Sequence, residues 1–434
     1  MPPRPKAAAM LARGIATTAM LAGVTAAAAA ATIPAPGTTS TPTTPAPGVP
    51  AKVEPYRPPP TVTVDASALP TDAEAWPQVL ALRDRAAPGS RERADLDWLI
   101  SFARLAAVSD SPTGRRVTAA RALRFNAFWY RGHRSPTDRV IARDPDGVLL
   151  TYRRGHGFIV NPVATMGRWR DLNIAWSAPQ LADAIAPMMI IRRYAGRDWG
   201  ALEYYDVPGK PDEVVPGVSA MGQGRAAALF AKAWRMTGDP QYARDAELAL
   251  GGFQVPVDAG GVFNTVRIGK LSGAWYPERA YPGKNPWTGA ALNGFMATII
   301  GLHGSAQDLA ATPRPVRPEP PADAASTTPA PTAPDPAALA QAGEASALAE
   351  DLARRGVNSL VTFLPFHDSG AWSYYGLLTP GHPWRTNLAD LNYHCYHVYL
   401  LKNLNKMYPG RGFDRYQLRW QGYVWKRGAR CPAR

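Results

Sequence analysis

The run Asn387-Leu-Ala-Asp-Leu-Asn-Tyr-His-Cys-Tyr-His397, continuing as Val-Tyr-Leu-Leu-Lys-Asn-Leu404, decides how the rest of the chain is read. Leu391, Cys395 and Val398 recur at i, i+4, i+7, and Tyr393, His397, Leu400 and Leu404 form a second stripe at the same spacing. Two apolar faces at helical period predict a helix over 387–404 that packs on more than one side. Tyrosine and histidine in such a surface need hydrogen-bond partners, or a cavity that holds a polar ligand. On this segment alone, satisfied core aromatics and a functional site both stay open.

Asn387-Leu-Ala, followed by Tyr-His and a second His three residues on, resembles the final motif of the D-glucuronyl C5-epimerase family. Other stretches agree in the family's order: Ser219-Ala-Met-Gly-Gln-Gly-Arg225, Gly260-Gly-Val262, Tyr281-Pro282, Leu292-Asn-Gly-Phe-Met296 and Gly301-Leu302. Ser359-Leu360, Leu364-Pro365 and Asp368-Ser-Gly370 leading to Tyr375 complete the set. The likeness covers about residues 215–425 apart from one insertion, and Leu123–Tyr130 is similar to bacterial members of the family. It implies a mainly α fold, an (α/α) toroid with a substrate groove at one mouth and a small β-rich N-terminal subdomain. It also implies C5 epimerisation of uronate residues, of the D-glucuronate to L-iduronate type, in an acidic polysaccharide.

That reaction removes a proton alpha to a carboxylate and returns one to the opposite face, so two proton-transferring groups must flank the ring. Fixed donors must meet the charge that spreads onto the carboxylate, and no redox cofactor is needed. The resemblance implies catalytic roles for Tyr281, Tyr375 and Tyr393. A free tyrosine titrates near 10, so one acting as a base needs neighbouring cations or donors. Arg225, Arg267, His394 and His397 are the candidates, and Gln223 and Asn293, inside matching motifs, join them as expected substrate contacts.

The chain departs from the family pattern in three places. Ala280 stands where the animal enzymes carry an acid, and the nearest carboxylate, Glu278, either takes its place as the base or the role is lost. Gly376-Leu-Leu-Thr379 replaces Asp-Leu-Arg-His, removing an arginine expected to bind carboxylate, and Asn392 replaces an aspartate. These changes bear on substrate rather than fold. They keep a second class in view, a related lyase or a non-catalytic protein that binds an acidic glycan.

Length and composition set bounds. With 434 residues and 46% hydrophobic positions the chain can bury a large core, while 44 prolines imply that part of it stays unfolded. Cys395 and Cys431 are too few for a disulfide framework, and no Cys/His spacing suggests zinc. His394-x-x-His397 lacks an acidic third ligand at a metallohydrolase spacing, so no metal is expected. The net charge is +14, of which +8 lies between Lys402 and Arg434, with nine Lys or Arg against Asp414. Such charge attracts phosphate, anionic lipid or an anionic glycan. No nucleic-acid-binding motif accompanies it, so nucleic acid is not expected as a partner. The oligomeric state is left open, a homodimer included.

In order, residues 1–35 carry a basic start and an uncharged Ala/Thr/Leu/Met run, the pattern of a secretory signal or membrane anchor. Either places the protein outside the cytoplasm, near a membrane or cell wall, with 36–70 as a Pro/Thr-rich linker. A helical and β-hairpin region spans 71–175, with helices at 72–86 and 91–108 and a β-rich part from 123 to 169. Val148–Tyr152 and Phe158–Val160 flank a predicted hairpin tip at which Arg153, Arg154 and His156 are candidate glycan contacts. The toroid domain spans 176–425, with helices predicted at 178–194, 222–237, 240–250, 290–303, 344–363 and 387–404, and 426–434 is a basic tail. Residues 311–340, rich in Pro, Ala and Thr, interrupt the domain as an insertion expected to be disordered. Gly222-x-Gly224-x-x-Ala227 matches a dinucleotide fingerprint by letter, but Pro216 spoils the strand that should precede it, so the glycines are expected to let a helix start pack tightly or to present backbone N–H groups to a carboxylate or hydroxyl.

Overall fold

Capping signals start the first helices. Thr71 and Glu74 close a reciprocal capping box on α1 (Asp72–Arg85), and the Ser90 side chain accepts the Arg93 amide at the start of α2 (Arg91–Ala107). The computed structural model describes residues 61–137, 140–168, 177–205, 214–282, 290–313, 335–377 and 387–432. All of them belong to one unit, Ala46–Arg434. The expected signal or anchor at 1–35, most of the linker and residues 314–334 of the insertion lie outside the described residues.

A third helix, α3 (Thr113–Gly132), contains the run Leu123–Tyr130 that the sequence assigns to a β-rich region. Its aromatic composition is strand-like. Yet Thr118, Ala122, Phe125, Asn126 and Tyr130 are buried at helical spacing, and the helix packs on α1 and α2.

The β-rich part is a four-stranded sheet in the order β1 (Thr61–Thr63), β2 (Ile141–Arg143), β3 (Leu149–Arg153), β4 (Gly157–Val160). β1 and β2 are parallel and the other pairs antiparallel. The β3–β4 hairpin is the predicted one. β1 lies inside the expected linker, and Val64 after it is buried, so ordered chain begins earlier than composition suggests. The hairpin tip is docked rather than free: the Gly155 amide donates to the buried Asp95 carboxylate at 2.6 Å, and the His156 ring lies tilted against Trp98 with centroids 4.5 Å apart. His156 is therefore a packing residue and not a glycan contact; Arg154 stays exposed.

After α4 (Pro162–Arg168), α5 (Ser177–Ile185) stops short of the predicted helix 178–194. Pro187 follows, and the chain turns at Ala195-Gly196, both at positive φ, to form the hairpin β5 (Ile190–Tyr194) and β6 (Arg197–Ala201). β7 (Glu203–Tyr204) pairs with β8 (Gly217–Val218). Glu203, almost fully buried, binds Arg115 of α3 and Arg192 of β5 and so ties the N-terminal helices to the β5–β6 hairpin.

The helices that remain are α6 (Ala220–Thr237), α7 (Pro240–Gly251), α8 (Leu292–Ala310), α9 (Pro336–Phe363), α10 (Leu391–Met407) and α11 (Phe413–Trp425). An unanticipated hairpin, β9 (Asn264–Ile268) with β10 (Leu271–Trp275), separates α7 from α8. α6 packs against α5, α7 and α8, α8 against α9 and α10, and α10 against α11. The molecule is mainly α, as the periodicity predicts. Gly222 and Gly224 lie within α6, and a Cβ on Gly301 of α8 would come within 2.7 Å of the Gly224 carbonyl. Gly224 and Gly301 let two helix backbones meet, while Gly222 faces Val163 and the capping Ser219.

Two predicted boundaries move. α9 begins at Pro336 with Ala338 and Ala342 buried, so the expected insertion ends before 340. Within the charged C-terminal stretch, α11 buries Phe413 and Trp420 fully, and beyond it Arg427 lies over the Trp372 ring at 4.7 Å. Cys431 is bonded to Cys395 of α10 across 36 residues. The basic stretch is thus attached to the domain. One apolar core runs from the sheet through α5–α11, and a smaller one joins α1–α3.

Candidate active site

Three side chains from distant parts of the sequence meet beside the N-termini of α8 and α10. Tyr375 lies on a short extended segment whose amide donates to Asn387 at 2.7 Å and whose carbonyl takes the Leu292 amide, the first of α8, at 2.8 Å. Its hydroxyl lies 3.5 Å from Glu278 Oε2. Its ring meets Tyr393 edge-on, with centroids 4.7 Å apart. Tyr393 sits in the first turn of α10, where Asp390 caps the helix by accepting the Tyr393 amide at 2.8 Å.

Glu278 and Ala280 are placed differently. Ala280 is buried, with its backbone bridged to Val218, whereas Glu278 is half-buried over the first turn of α8. A Cβ on Gly294 would lie 2.7 Å from the Glu278 Cβ and 3.0 Å from its Oε2, so glycine there makes room for the carboxylate. A carboxylate at a helix N-terminus also meets the positive end of the helix dipole. The nearest acid has therefore moved into reach of Tyr375 from two residues upstream.

The electrostatics separate the tyrosines. Burial raises the Tyr375 phenol well above its ordinary range, the Glu278 charge and the Tyr393 hydrogen bond add to this, and Arg279 opposes it. Tyr375 is thus a held, neutral donor. Tyr393 is 39% exposed, contrary to the expected stripe in which it is buried with His397, Leu400 and Leu404; those three do turn inward. Of the trio, Tyr393 is the ring most open to a sugar. Tyr281 is only 4% exposed, with its ring where a Cβ on Gly217 would stand, which leaves it little surface for a substrate.

The expected substrate contacts divide. Asn293, in the first turn of α8, is 3% exposed, and its Oδ1 meets no donor among the described residues. Gln223 is a bridge between backbones: it accepts from Leu202 and donates to Gly200 and Ala249, fully buried. Arg225 binds the Val163 carbonyl and the Tyr396 hydroxyl, one turn along α10 from Tyr393. Arg267 is exposed on β9, where Val266 takes the inward position.

His394 and His397 are completely buried and do not supply the cations expected beside Tyr393. Burial pushes His394 down to about 4, with the Trp420 carbonyl opposing and Arg427 adding, and it holds His397 well below its usual value, aided by His394 and His367. They are neutral imidazoles bonded to Ser373, a residue that sequence reasoning missed because nothing in Gly-Ala-Trp-Ser-Tyr-Tyr375 marks the serine as paired.

A groove of about 600 Å³ between the β5–β6 turn, α7 and α9 holds none of these groups. Its Arg197 and Arg244 are offset by Asp198, Glu247 and Glu344, so it offers an acidic polymer no net attraction. The carboxylate and the two phenols that come together are those of Glu278, Tyr375 and Tyr393. Among the described residues no group of three His, Cys, Asp or Glu is arranged to hold a metal ion.

A family model described as "D-glucuronyl C5-epimerase C-terminus" matches residues 199–422, a span that includes the cluster. A D-glucuronyl C5-epimerase of Caenorhabditis elegans is 29% identical over 212 residues, 49% of this chain and 29% of that protein. An uncharacterized protein of Methanocaldococcus jannaschii is 33% identical over 175 residues, 40% of each chain. The chain thus aligns with well under half the length of either relative. With more than half of its residues described by the family model, the chain belongs to the D-glucuronyl C5-epimerase family.

Proposed function

We propose that this protein epimerises uronate residues of an acidic polysaccharide at C5, converting D-glucuronate-type to L-iduronate-type sugars. The observation that carries the reading is the contact chain from Glu278 through Tyr375 to Tyr393. In it Glu278 takes the C5 proton as the C–H electron pair moves onto the sugar carboxylate. The Tyr393 phenol delivers a proton to the opposite face of C5, which leaves Glu278 protonated and Tyr393 ionised. Tyr375, neutral and touching both, returns the proton from Glu278 to Tyr393 and resets the site. In this reading Arg279, exposed beside Glu278, meets the sugar carboxylate as charge builds there.

The setting of this reading is an (α/α) toroid outside the cytoplasm, delivered by residues 1–35. The Cys395–Cys431 bond supports that location, because such bonds persist in oxidising compartments. The excess of positive charge supports an anionic substrate. The test is incubation of the intact protein with several uronate polymers in heavy water, followed by measurement of deuterium at C5. Incorporation with a change of C5 configuration is expected. An unsaturated sugar product would convert the reading to a lyase, and glycan binding without incorporation to a binding protein.

A further inference from the structure

We propose that Ser373, held between the imidazoles of His394 and His397, is a positioning residue that sets Tyr375 against Tyr393. The proposal rests on the reading of those tyrosines as proton-transfer groups. Ser373 has no exposed surface. Its hydroxyl lies 2.8 Å from His394 Nδ1 and 2.9 Å from His397 Nδ1, and its amide donates to His394 Nδ1 at 3.2 Å.

Counting protons orders the network. His394 Nδ1 accepts the Ser373 amide, so its own proton is on Nε2, 3.0 Å from the Trp420 carbonyl, which can only accept. The serine hydroxyl has one proton for two short contacts. Donating it to His397 would leave two lone pairs facing each other at His394. Donating it to His394 lets His397 Nδ1–H donate to the serine oxygen, and every short contact then carries a proton. The chain runs from His397 through Ser373 and His394 to Trp420. It requires both rings neutral, as their burial also dictates.

The network joins the two elements that bear the tyrosines. Both imidazoles belong to α10, whose first turn carries Tyr393 next to His394. Ser373 precedes Tyr375 by two residues on the extended segment that Ala389, Asn387 and Leu292 hold by backbone hydrogen bonds. Those backbone bonds fix the segment to the chain entering α10 and to α8, but the serine is where a side-chain network locks it to the body of α10. The separation of the two phenols is thus set from behind by a buried hydroxyl with a defined direction.

The network makes a discriminating prediction. An asparagine amide can imitate the Nδ1–H donor that His397 is assigned, whereas leucine fills similar space with no donor. In the full-length protein, Ser373→Ala and His397→Leu should lower saturating C5-deuterium incorporation about tenfold or more with KM nearly unchanged. His397→Asn should stay within about threefold of wild type. Fluorotyrosine-labelled protein, with Tyr375 and Tyr393 resonances assigned by phenylalanine substitution, should show both signals shifted in Ser373→Ala and His397→Leu and restored in His397→Asn. Folded fraction is read from the same samples, and if Ser373→Ala does not fold, the His397 pair decides. Wild-type-like incorporation and unshifted resonances in the donor-lacking variants, or equal losses in His397→Asn and His397→Leu, would overturn the proposal. If intact protein exchanges no C5 proton on any polymer, the epimerase reading fails, and the fluorine signals still decide whether Ser373 positions the rings.

Discussion

Two buried polar networks sit in this molecule and are built on opposite terms. In the N-terminal region, Asp95 receives Tyr130, Ser135, Tyr152 and the Gly155 amide at 2.6–3.0 Å, so every donor around it points at one acceptor-rich carboxylate. Behind the tyrosine cluster, His367, His394 and His397 are equally buried, yet His397 Nε2 meets no hydrogen-bond partner among the described residues, and the His367 ring is offered only the Tyr374 backbone. A saturated network holds elements together and has nothing left to offer. An under-partnered one is tolerated at a cost, and here it lies against the residues that bear the proposed chemistry.

Acid should expose this difference most strongly. Burial drives His367 down to about 3 and His394 to about 4, and holds His397 low as well, all against an ordinary histidine value of 6.5. Below about pH 6.5 the unfolded chain binds protons that the folded chain refuses, so stability is full above that pH and falls as the pH drops. Each buried histidine that stays neutral contributes a slope of up to about 1.4 kcal/mol per pH unit, and the three act in the same direction. Melting temperatures from pH 7.5 to 4.5 should fall steeply, and His367→Leu should flatten the curve. A flat curve over that range would erase the contrast between the networks.

The contrast is next sharpened by removing one phenol from each region. Tyr393→Phe should lower deuterium incorporation about a hundredfold or more, since it deletes a proton donor, while stability changes by about 1 kcal/mol or less. Tyr130→Phe, which deletes a donor to Asp95, should leave incorporation intact and cost about 1 kcal/mol. Near-normal incorporation by folded Tyr393→Phe removes this tyrosine from the chemistry.

A smaller effect belongs to the hub itself. Asp95→Asn places an amide among four donors that all need an acceptor, so chemical unfolding should show a loss of about 2 kcal/mol with unchanged activity per folded molecule. A comparable loss of specific activity would mean that the N-terminal network reaches the site.

The smallest expected effect lies outside both networks. Replacing residues 314–334 by a Gly/Ser segment of equal length should leave the melting temperature and incorporation almost unchanged, because that Pro/Ala/Thr composition supports no core. A large drop in melting temperature would give the segment a structural role.

Helices with strong apolar period were legible: α6, α7 and α10 stand within a few residues of their predicted places, and α8 starts near its predicted place but runs seven residues further. α3 was hidden by its aromatic content and α11 by its charge, since both bury large rings while keeping a polar face. The hairpins β5–β6 and β9–β10 were missed because apolar residues do not alternate along them: Ile191, Tyr194 and Leu271 are exposed while Arg192 is half-buried, so no period of two shows. Short motifs single out Tyr281, Tyr375 and Tyr393, with Glu278 as the nearest acid; in the structure Glu278, Tyr375 and Tyr393 meet, whereas Tyr281 and Gln223 are buried. Burial then set these two apart.

What the sequence determined by itself is the mainly α fold, the family and the carboxylate and tyrosines available for chemistry, because helical period, small-residue crossings and local motifs are written within one or two turns of chain. The tertiary structure alone decided that Glu278 reaches Tyr375 across 97 residues, that Tyr393 stays open, and that His394 and His397 are neutral supports for Ser373. The physical reason is that a pKa, a tautomer and a hydrogen-bond partner depend on desolvation and on groups brought together by packing, and neither is encoded in the spacing of residues along the chain.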